Sequence, residues 1–366
     1  MIEQTIPTEF LDLAEVQSQH EDELLSKPNV VGVALGTKIT DNEDTGEQAL
    51  TVLVETKVDP DLLSEDDLVP SSVGDVATDV QEVGVIQAGD AMAPSMPPTE
   101  VSPEALRVEP AGNGVALREP DMGLRERLEA EIGPQLLATR LRPAMGGYSV
   151  GHYRITAGTI ATGCYDLRDF PGVPSRYYVL SNNHVIANSN VAAVGDPILQ
   201  PGPYDGGVYP QDLFARLTRW VPIRFITGSI QPTNYVDAAI GEVPFHYLNR
   251  EIYWIGYATK MYQAPMVGVV VQKTGRTTNF TTGRVTNINA TVLVNYGSGQ
   301  VAKFARQILA QAAGGRAMGA PGDSGSLVTT LDEEGVGLLF AGSPYITVIN
   351  HLHYVQALLG VRITER

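Results

Sequence analysis

A serine between two glycines is the first feature of this sequence that suggests chemistry. Ser324 lies in Pro321-Gly322-Asp323-Ser324-Gly325-Ser326. A serine nucleophile in acyl transfer needs an exposed hydroxyl on a tight turn, a nearby base and N–H groups directed at the developing oxyanion. Flanking glycines permit unusual dihedrals and close approach of a substrate, and the N–H groups of Gly322 and Ser324 are the predicted oxyanion donors. The same residues also suit an ordinary surface turn, so this segment alone leaves both interpretations open.

Two other segments contain residue types that activate a serine. His184, in Leu180-Ser181-Asn182-Asn183-His184-Val185, follows an apolar run, where a lone histidine is more typical of a core. Asp237 is enclosed by apolar residues in Val236-Asp237-Ala238-Ala239-Ile240. An unpaired buried carboxylate is costly, and a hydrogen bond to His184 would provide its partner. Three other acids between the histidine and the serine occupy Gly- and Pro-rich stretches typical of turns, namely Asp196, Asp205 and Asp212.

The elements that must position these residues are short strands. From about residue 146 to 349, β-branched and aromatic runs alternate with Gly, Pro and Asn turns. This mainly β pattern is typical of a sandwich or a pair of barrels. A closing helix is predicted after Asn350 as its N-cap, with Gly360 as its C-terminal stop.

Taken together, the three segments resemble the trypsin/chymotrypsin superfamily of serine proteases over roughly residues 146–366. In that family a histidine follows a strand, an aspartate opens a short apolar strand and a serine lies in Gly-Asp-Ser-Gly. The resemblance implies a catalytic triad of His184, Asp237 and Ser324, with Asp323 as a buried carboxylate that shapes the oxyanion loop. It also implies a chymotrypsin-like double β-barrel, with barrels at about 144–262 and 263–349.

Further segments extend the resemblance to bacterial trypsin-like proteins that have few disulfides. Gln272-Lys273-Thr274-Gly275-Arg276-Thr277-Thr278, followed by Thr282-Gly283-Arg284-Val285, is similar to the opening hairpin of their second barrel. With Pro28-Asn29-Val30-Val31-Gly32-Val33 near the start, the whole chain is similar to bacterial proteins related to the plant Narrow Leaf 1 proteases.

The substrate pocket departs from the family pattern. The stretch Leu339-Phe340-Ala341-Gly342-Ser343 lacks the family's usual Ser-Trp-Gly, and Ala341 and Gly342 are its predicted lining residues. Met318 is predicted near the base of the pocket, in a stretch 316–321 that contains no acid. A pocket for basic side chains needs an acid, so no preference for Arg or Lys is expected.

The first part of the chain predicts separate elements. Residues 1–88 are predicted to form a small α+β N-terminal domain with a helix over 8–25, a hairpin from 30–39 and 50–58, and a strand at 76–85. Residues 89–143 are predicted to be a Pro-rich linker with a short helix, whose apolar face carries Leu124, Leu128 and Ile132. The protease-like domain then spans 144–366. The N-terminal segment is expected either to restrain or template that domain, or to bind a partner independently.

Composition excludes several classes of protein. The formal net charge of −17 argues against nucleic acid or an anionic membrane as the main partner. With Cys164 as the one cysteine, no intramolecular disulfide forms. The chain lacks a signal-peptide pattern and a membrane-spanning apolar run, so a cytoplasmic location is the simplest expectation. The acidic stretch 41–44 lacks full calcium-loop spacing, and neither a metal nor an organic cofactor is expected.

The sequence therefore predicts a serine endopeptidase that acts on proteins or peptides through an acyl-enzyme intermediate. Its oligomeric state is left open, with a homo-oligomer as one possibility. The alternative is a catalytically silent protease-fold protein used for binding or scaffolding, because a fold alone does not guarantee activity. The presence of all three triad positions favours the enzyme.

Overall fold

The computed structural model describes residues 5–40, 43–88, 136–155, 157–167 and 174–364. The predicted short helix and most of the predicted linker lie outside the described residues, as does the first half of the acidic stretch 41–44.

Three α-helices lie wholly within the described residues, and the rest of the regular structure is mainly β. The helices are α1 Leu11–Ser26, α2 Asn183–Ile186 and α3 Leu352–Leu359. Five short 3-10 turns accompany them: Thr8–Phe10, Pro60–Leu62, Asn188–Asn190, Pro203–Asp205 and Phe245–Tyr247.

The strands follow in chain order as β1 Val30–Thr40, β2 Glu43–Val54, β3 Ser72–Val73, β4 Val76–Glu82, β5 Ala144–Gly146, β6 Ser149–His152, β7 Gly158–Thr159, β8 Thr162–Asp166, β9 Tyr178–Ser181, β10 Pro197–Leu199, β11 Leu213–Trp220, β12 Thr233–Asn234, β13 Ala239–Glu242, β14 Leu248–Ile252, β15 Val270–Gly275, β16 Asn279–Asn295, β17 Val301–Gln311, β18 Leu327–Thr330, β19 Gly335–Gly342, β20 Thr347–His351 and β21 Val361–Arg362.

An eight-stranded sheet occupies the middle of the chain, in the order β21-β8-β9-β13-β11-β10-β6-β7. Only Ile160 and Ala161 separate β7 from β8, and their N–H groups donate to the carbonyls of Tyr148 and Leu180. The run through β7 and β8 therefore pairs with β6 in its first half and with β9 in its second. Apolar side chains from this sheet, including Val179, form a common core.

A second, eleven-stranded sheet contains the later strands. Its pairings run from β15 to β16, β17, β20, β19 and β18, and then from β18 back to β15. The two sheets share a buried cluster that includes Leu180 and Ile240 from the first and Leu327 and Leu338 from the second. The predicted nucleophile segment precedes β18, so it lies next to this shared cluster.

The strands within residues 5–88 extend the second sheet, and the domain boundaries predicted for the chain stay predictions. β1 pairs antiparallel with β16, and β2, β4 and β3 continue the sheet beyond β1. Leu35 and Val52 share a core cluster with Val271 and Ile288. The first seven residues of β1 are buried, and a strand with little exposed surface needs neighbours that a small isolated hairpin does not supply.

Most individual N-terminal elements lie close to their predicted positions. α1 follows the helix predicted over 8–25, β1 the strand predicted over 30–39, and β4 most of the strand predicted at 76–85. β2 supplies the second strand of the hairpin, but it covers Glu43–Val54 and not the predicted 50–58.

The C-terminal helix α3 is confirmed, but its cap differs from the prediction. His351 is the N-cap, and its side chain accepts a hydrogen bond from the His353 N–H. Asn350, the predicted cap, lies in β20 and holds a different partner. Gly360 ends the helix at φ 66°, a conformation that favours glycine. Within the described residues, no helix is long and apolar enough to cross a membrane.

Candidate active site

Two neighbouring strands bring His184 and Asp237 together. β9 ends just before α2, which carries His184, and β13 begins just after Asp237. Because Ala239 of β13 pairs with Ser181 of β9, the two side chains project from the same end of the sheet. His184 Nδ1 lies 2.6 Å from Asp237 Oδ2, and the His184 N–H donates to Asp237 Oδ1 at 3.2 Å. The pair is buried, with Asp237 0% exposed.

Three side chains that sequence reasoning missed hold Asp237 in place. The Asn182 amide donates to the Asp237 carbonyl at 2.7 Å, and the Asp237 N–H donates to Asn350 Oδ1 at 2.8 Å. The Tyr296 hydroxyl donates to Asp237 Oδ2 at 2.7 Å. Asn182 lies in the histidine segment itself, two residues before His184, so a local pattern could have indicated it. Asn350 in β20 and Tyr296 just after β16 are distant in sequence, and no local pattern links them to Asp237.

The turn around Ser324 uses its glycines for conformation and for space. Gly322 and Gly325 adopt φ values of 95° and 100°, which side chains other than glycine rarely tolerate. A Cβ at Gly325 would also overlap the Thr159 carbonyl oxygen and the Ser181 hydroxyl. The turn is thus a tight, buried structure that leaves Ser324 5% exposed, which argues against an ordinary surface turn.

Ser324 and the histidine helix meet at Gly158. The Ser324 carbonyl accepts a hydrogen bond from Thr159 N–H at 2.8 Å. A Cβ at Gly158 would lie 2.8 Å from that same carbonyl and against the side chain of Val185, the neighbour of His184. The structure therefore places all three predicted triad residues in one region. Among the described contacts the Ser324 hydroxyl does not reach His184, and catalytic hydrogen bonds are often long before substrate binds.

A buried ion pair fixes the backbone next to Ser324. Lys273 Nζ lies 3.0 Å from Asp323 Oδ2, and both side chains are 0% exposed. Thr277, Thr278 and Ala320 donate backbone N–H groups to the same carboxylate, and the Thr278 hydroxyl donates to it at 2.6 Å. Burial alone would raise the pKa of Asp323, but the charge of Lys273 and these hydrogen bonds bring it below its ordinary value. Asp323 is thus an ionised, internal carboxylate.

The predicted oxyanion donors, the N–H groups of Gly322 and Ser324, lie on either side of Asp323 in the nucleophile turn. Thr159 Oγ1 donates to the Gly322 carbonyl at 2.8 Å, which orients that peptide. The Asp323 N–H donates to the Ala320 carbonyl, and the Gly325 N–H donates to the Leu339 carbonyl. Within the described part of the chain, the N–H groups of Gly322 and Ser324 have no acceptor. Two backbone donors beside a serine hydroxyl are suited to hold a developing oxyanion.

The predicted pocket residues differ in their surroundings. Met318, predicted near the pocket base, is 1% exposed and packs in the core cluster that contains Leu339, so its side chain does not face an open cleft. Ala341 is also buried and pairs with Val348. Gly342 ends β19, and its N–H and carbonyl are bonded to the backbone of Gln87. The Met318 side chain thus packs inside the molecule, and the pocket lining of Met318, Ala341 and Gly342 stays a prediction.

The lower-ranked acids have other partners. Asp196 lies 3.1 Å from His152 Nε2, which makes a second His–Asp pair that the sequence did not indicate. Asp205 pairs with Arg276, and Asp212 pairs with Arg140. None of these contacts involves His184.

Other candidate chemistry is not supported at this site. Cys164 is a free, buried thiol, and burial raises its pKa to about 12, which removes the thiolate that a cysteine nucleophile needs. In the stretches that the structure describes, no group of three or more His, Cys, Asp or Glu residues is arranged to hold a metal ion.

No protein-family model matches the chain, and no curated protein matches it. Solved structures similar to it include Thermobifida fusca protease A (15% identity, 60% of this chain and 99% of that chain, TM-score 0.41). Others are a glutamic acid-specific serine protease that uses a histidine triad in substrate binding (18%, 60% and 98%, 0.40) and Cellulomonas bogoriensis chymotrypsin (16%, 60% and 96%, 0.38). Similarity this low does not establish an activity, which has to be inferred from the residues of the site.

Proposed function

We propose that this protein is a serine endopeptidase that uses Ser324, His184 and Asp237 as a catalytic triad. The single observation that carries the proposal is the buried His184–Asp237 pair, 2.6 Å apart, beside the Ser324 turn. The proposal includes a chymotrypsin-like double β-barrel over about 144–262 and 263–349. Similarity to the plant Narrow Leaf 1 proteases stays a prediction.

The proposed reaction is acyl transfer in two steps. The Ser324 hydroxyl attacks the scissile carbonyl while His184 takes its proton, and the N–H groups of Gly322 and Ser324 receive the oxyanion. His184 then returns the proton to the leaving amine, and the peptide C–N bond breaks. Water repeats the sequence on the acyl ester and releases the acid. Asp237 holds the imidazole in one tautomer and stabilises its charged form.

A fluorophosphonate probe tests this proposal without knowledge of the substrate. The probe should label the purified protein at Ser324, and Ser324→Ala should abolish both labelling and most peptide hydrolysis. The matched control is Ser326→Ala, because the Ser326 hydroxyl is buried and bonded to the Asp323 carbonyl. Labelling that persists in Ser324→Ala would reject the assignment. A folded wild-type protein that takes no label would favour the silent binding or scaffolding protein.

We also propose that the N-terminal segment restrains this site. Gln87 N–H donates to the Gly342 carbonyl at 2.9 Å, and Gly342 N–H donates back to the Gln87 carbonyl at 3.0 Å. Extended peptides commonly bind by adding a strand to a sheet edge, and Gly342 was predicted to line the substrate pocket. A peptide that approaches the end of β19, beyond its pairing with β18, meets backbone groups of Gly342 that are already bonded to Gln87.

A further inference from the structure

Tyr296 directly follows β16 and reaches Asp237 from the second sheet. Its hydroxyl lies 2.7 Å from Asp237 Oδ2, the same oxygen that lies 2.6 Å from His184 Nδ1. Asp237 Oδ2 therefore has two partners: His184, in the helix that follows β9 of the first sheet, and Tyr296, which follows β16 of the second sheet.

The Tyr296 ring is held on several sides. It packs edge-on against His184, with ring centroids 6.1 Å apart, and against Phe225 at 5.5 Å. Phe304 stacks on it at 6.2 Å. The Tyr296 N–H donates to the Gln300 carbonyl at 2.8 Å, and the residue is 8% exposed. A ring packed in this way has little rotational freedom, so the position of its hydroxyl is fixed by the fold.

The chemistry of the pair allows one direction of hydrogen bonding. Burial, and then the charge of Asp237, raise the pKa of Tyr296 well above its ordinary value, so the phenol keeps its proton. An ionised carboxylate only accepts hydrogen bonds, so the phenol donates. The backbone of Asp237 is held by the neutral amides of Asn182 and Asn350. Among the described contacts of the carboxylate, His184 and Tyr296 are thus its titratable partners.

We propose that Tyr296 is a positioning residue for this site. Its hydroxyl orients the Asp237 carboxylate and weakens the electrostatic interaction of that carboxylate with the His184 ring. The inference rests on the proposed function for its catalytic consequence, although the effect on His184 exists without turnover. With Oδ2 anchored by Tyr296, rotation of the carboxylate away from Nδ1 breaks two hydrogen bonds, and charge on Oδ2 is shared with the phenol proton.

Tyr296→Phe removes the hydroxyl and keeps the ring. We expect about tenfold slower fluorophosphonate labelling at the optimum, because the variant loses a hydrogen bond to a charged group and only part of its contribution differs along the reaction. The acid limb of the rate profile should move to higher pH, because the charge of Asp237 beside the imidazole is no longer shared with the phenol. KM for a peptide substrate should stay within about twofold, because only the chemical step loses a partner.

The matched control is Tyr178→Phe. Tyr178 is also buried, and its hydroxyl donates to Asp166 Oδ2 at 2.8 Å. The variant therefore loses a phenol–carboxylate hydrogen bond that does not involve His184, and the pH dependence of its labelling rate should match that of wild type. Tyr296→3-fluorotyrosine supplies a stronger donor and should shift the acid limb to lower pH, which also covers a phenylalanine variant that fails to fold.

The proton between His184 and Asp237 gives a readout that does not need activity. The resonance of the His184 Nδ1 proton, which faces Asp237 Oδ2 at 2.6 Å, should shift in the proton NMR spectrum of Tyr296→Phe, both in wild-type background and with Ser324→Ala. A wild-type protein that takes no label contradicts the proposed function, but a shifted resonance still supports the Tyr296 inference. An unchanged resonance in both Tyr296 variants, or an unchanged rate profile in an enzyme that does react, overturns it.

Discussion

At the scale of single residues, apolar neighbours in sequence distinguish Asp237 from the three acids that were ranked below it. Asp237 is enclosed by apolar neighbours in sequence, and the cost of an unpaired buried charge predicted a partner for it. The structure provides His184 and Tyr296 as partners. Asp196 also pairs with a histidine, His152, although its Gly- and Pro-containing surroundings are typical of a turn. The residues around each acid thus predicted the His184–Asp237 pair but gave no indication of the His152–Asp196 pair.

The two His–Asp pairs give a matched experiment. Asp237→Asn should lower turnover by about three to four orders of magnitude with little change in KM, because an amide holds the imidazole in the wrong tautomer. Asp196→Asn changes the same group beside His152 and should leave turnover within about twofold. Steady-state kinetics of both variants, with circular dichroism to confirm their folding, measures the difference. Loss of activity in Asp196→Asn with retention in Asp237→Asn would reverse the assignment.

At the scale of elements, the Ser324 turn depends on β15. Lys273 projects from that strand to Asp323, and the loop after β15 adds Thr277 and Thr278 as donors. The segment that resembles a barrel-opening hairpin therefore supplies partners for the carboxylate next to the nucleophile. The prediction of a buried, structural Asp323 came from the resemblance. Its lysine partner was not predicted, because no local pattern links positions 50 residues apart.

Asp323 should make stability depend on pH. Its pKa is lowered in the folded protein, so its contribution is complete above the unfolded value and is lost as pH falls through the folded one. At pH 7, Asp323→Asn leaves Lys273 buried without its counter-ion and should cost about 3–5 kcal/mol. Denaturant unfolding from pH 7 to pH 3 should show the difference in unfolding free energy between wild type and variant becoming smaller, because the Asp323 carboxyl of the unfolded wild-type chain takes up a proton before that of the folded protein.

The control for this measurement is Asp22→Asn. Asp22 also pairs with a lysine, Lys303 at 3.4 Å, but its side chain is 86% exposed. Exposed pairs contribute little, so this variant should follow the wild type at every pH. If the difference in unfolding free energy between Asp323→Asn and wild type stays constant down to pH 3, Asp323 is not an ionised, internal carboxylate.

At the scale of the whole molecule, patterns predicted the elements but not how they assemble. Apolar runs and turn residues located α1, α3 and most N-terminal strands, because these signals are local. They did not predict that β1 pairs with β16, since that register joins Gly32 to Val292 across most of the chain. The nearly continuous apolar run of β1 was the available signal, because such runs are typical of strands covered on both sides.

That assembly places Gln87 beside Gly342, the last residue of β19, beyond the stretch of β19 that pairs with β18. This contact leads to a prediction about restraint. Gln87→Pro removes the N–H that donates to Gly342, whereas Gln87→Ala keeps the backbone and removes only the side chain. If the bonded segment competes with peptides for this edge, Gln87→Pro should raise kcat/KM for an extended peptide by about tenfold, the value of one hydrogen bond of about 1.4 kcal/mol. Gln87→Ala should match wild type.

A small fluorophosphonate separates restraint from support of the fold. The probe needs Ser324 and the oxyanion donors but not a strand edge, so its rate of reaction should be the same in wild type and Gln87→Pro. Slower reaction with both probe and peptide would mean that the segment templates the active conformation, because Ala88 N–H also donates to the Asn295 carbonyl, next to Tyr296. Equal rates on both reagents would exclude restraint and support alike. Only a gain confined to the extended peptide identifies residues 86–88 as an internal competitor of the substrate.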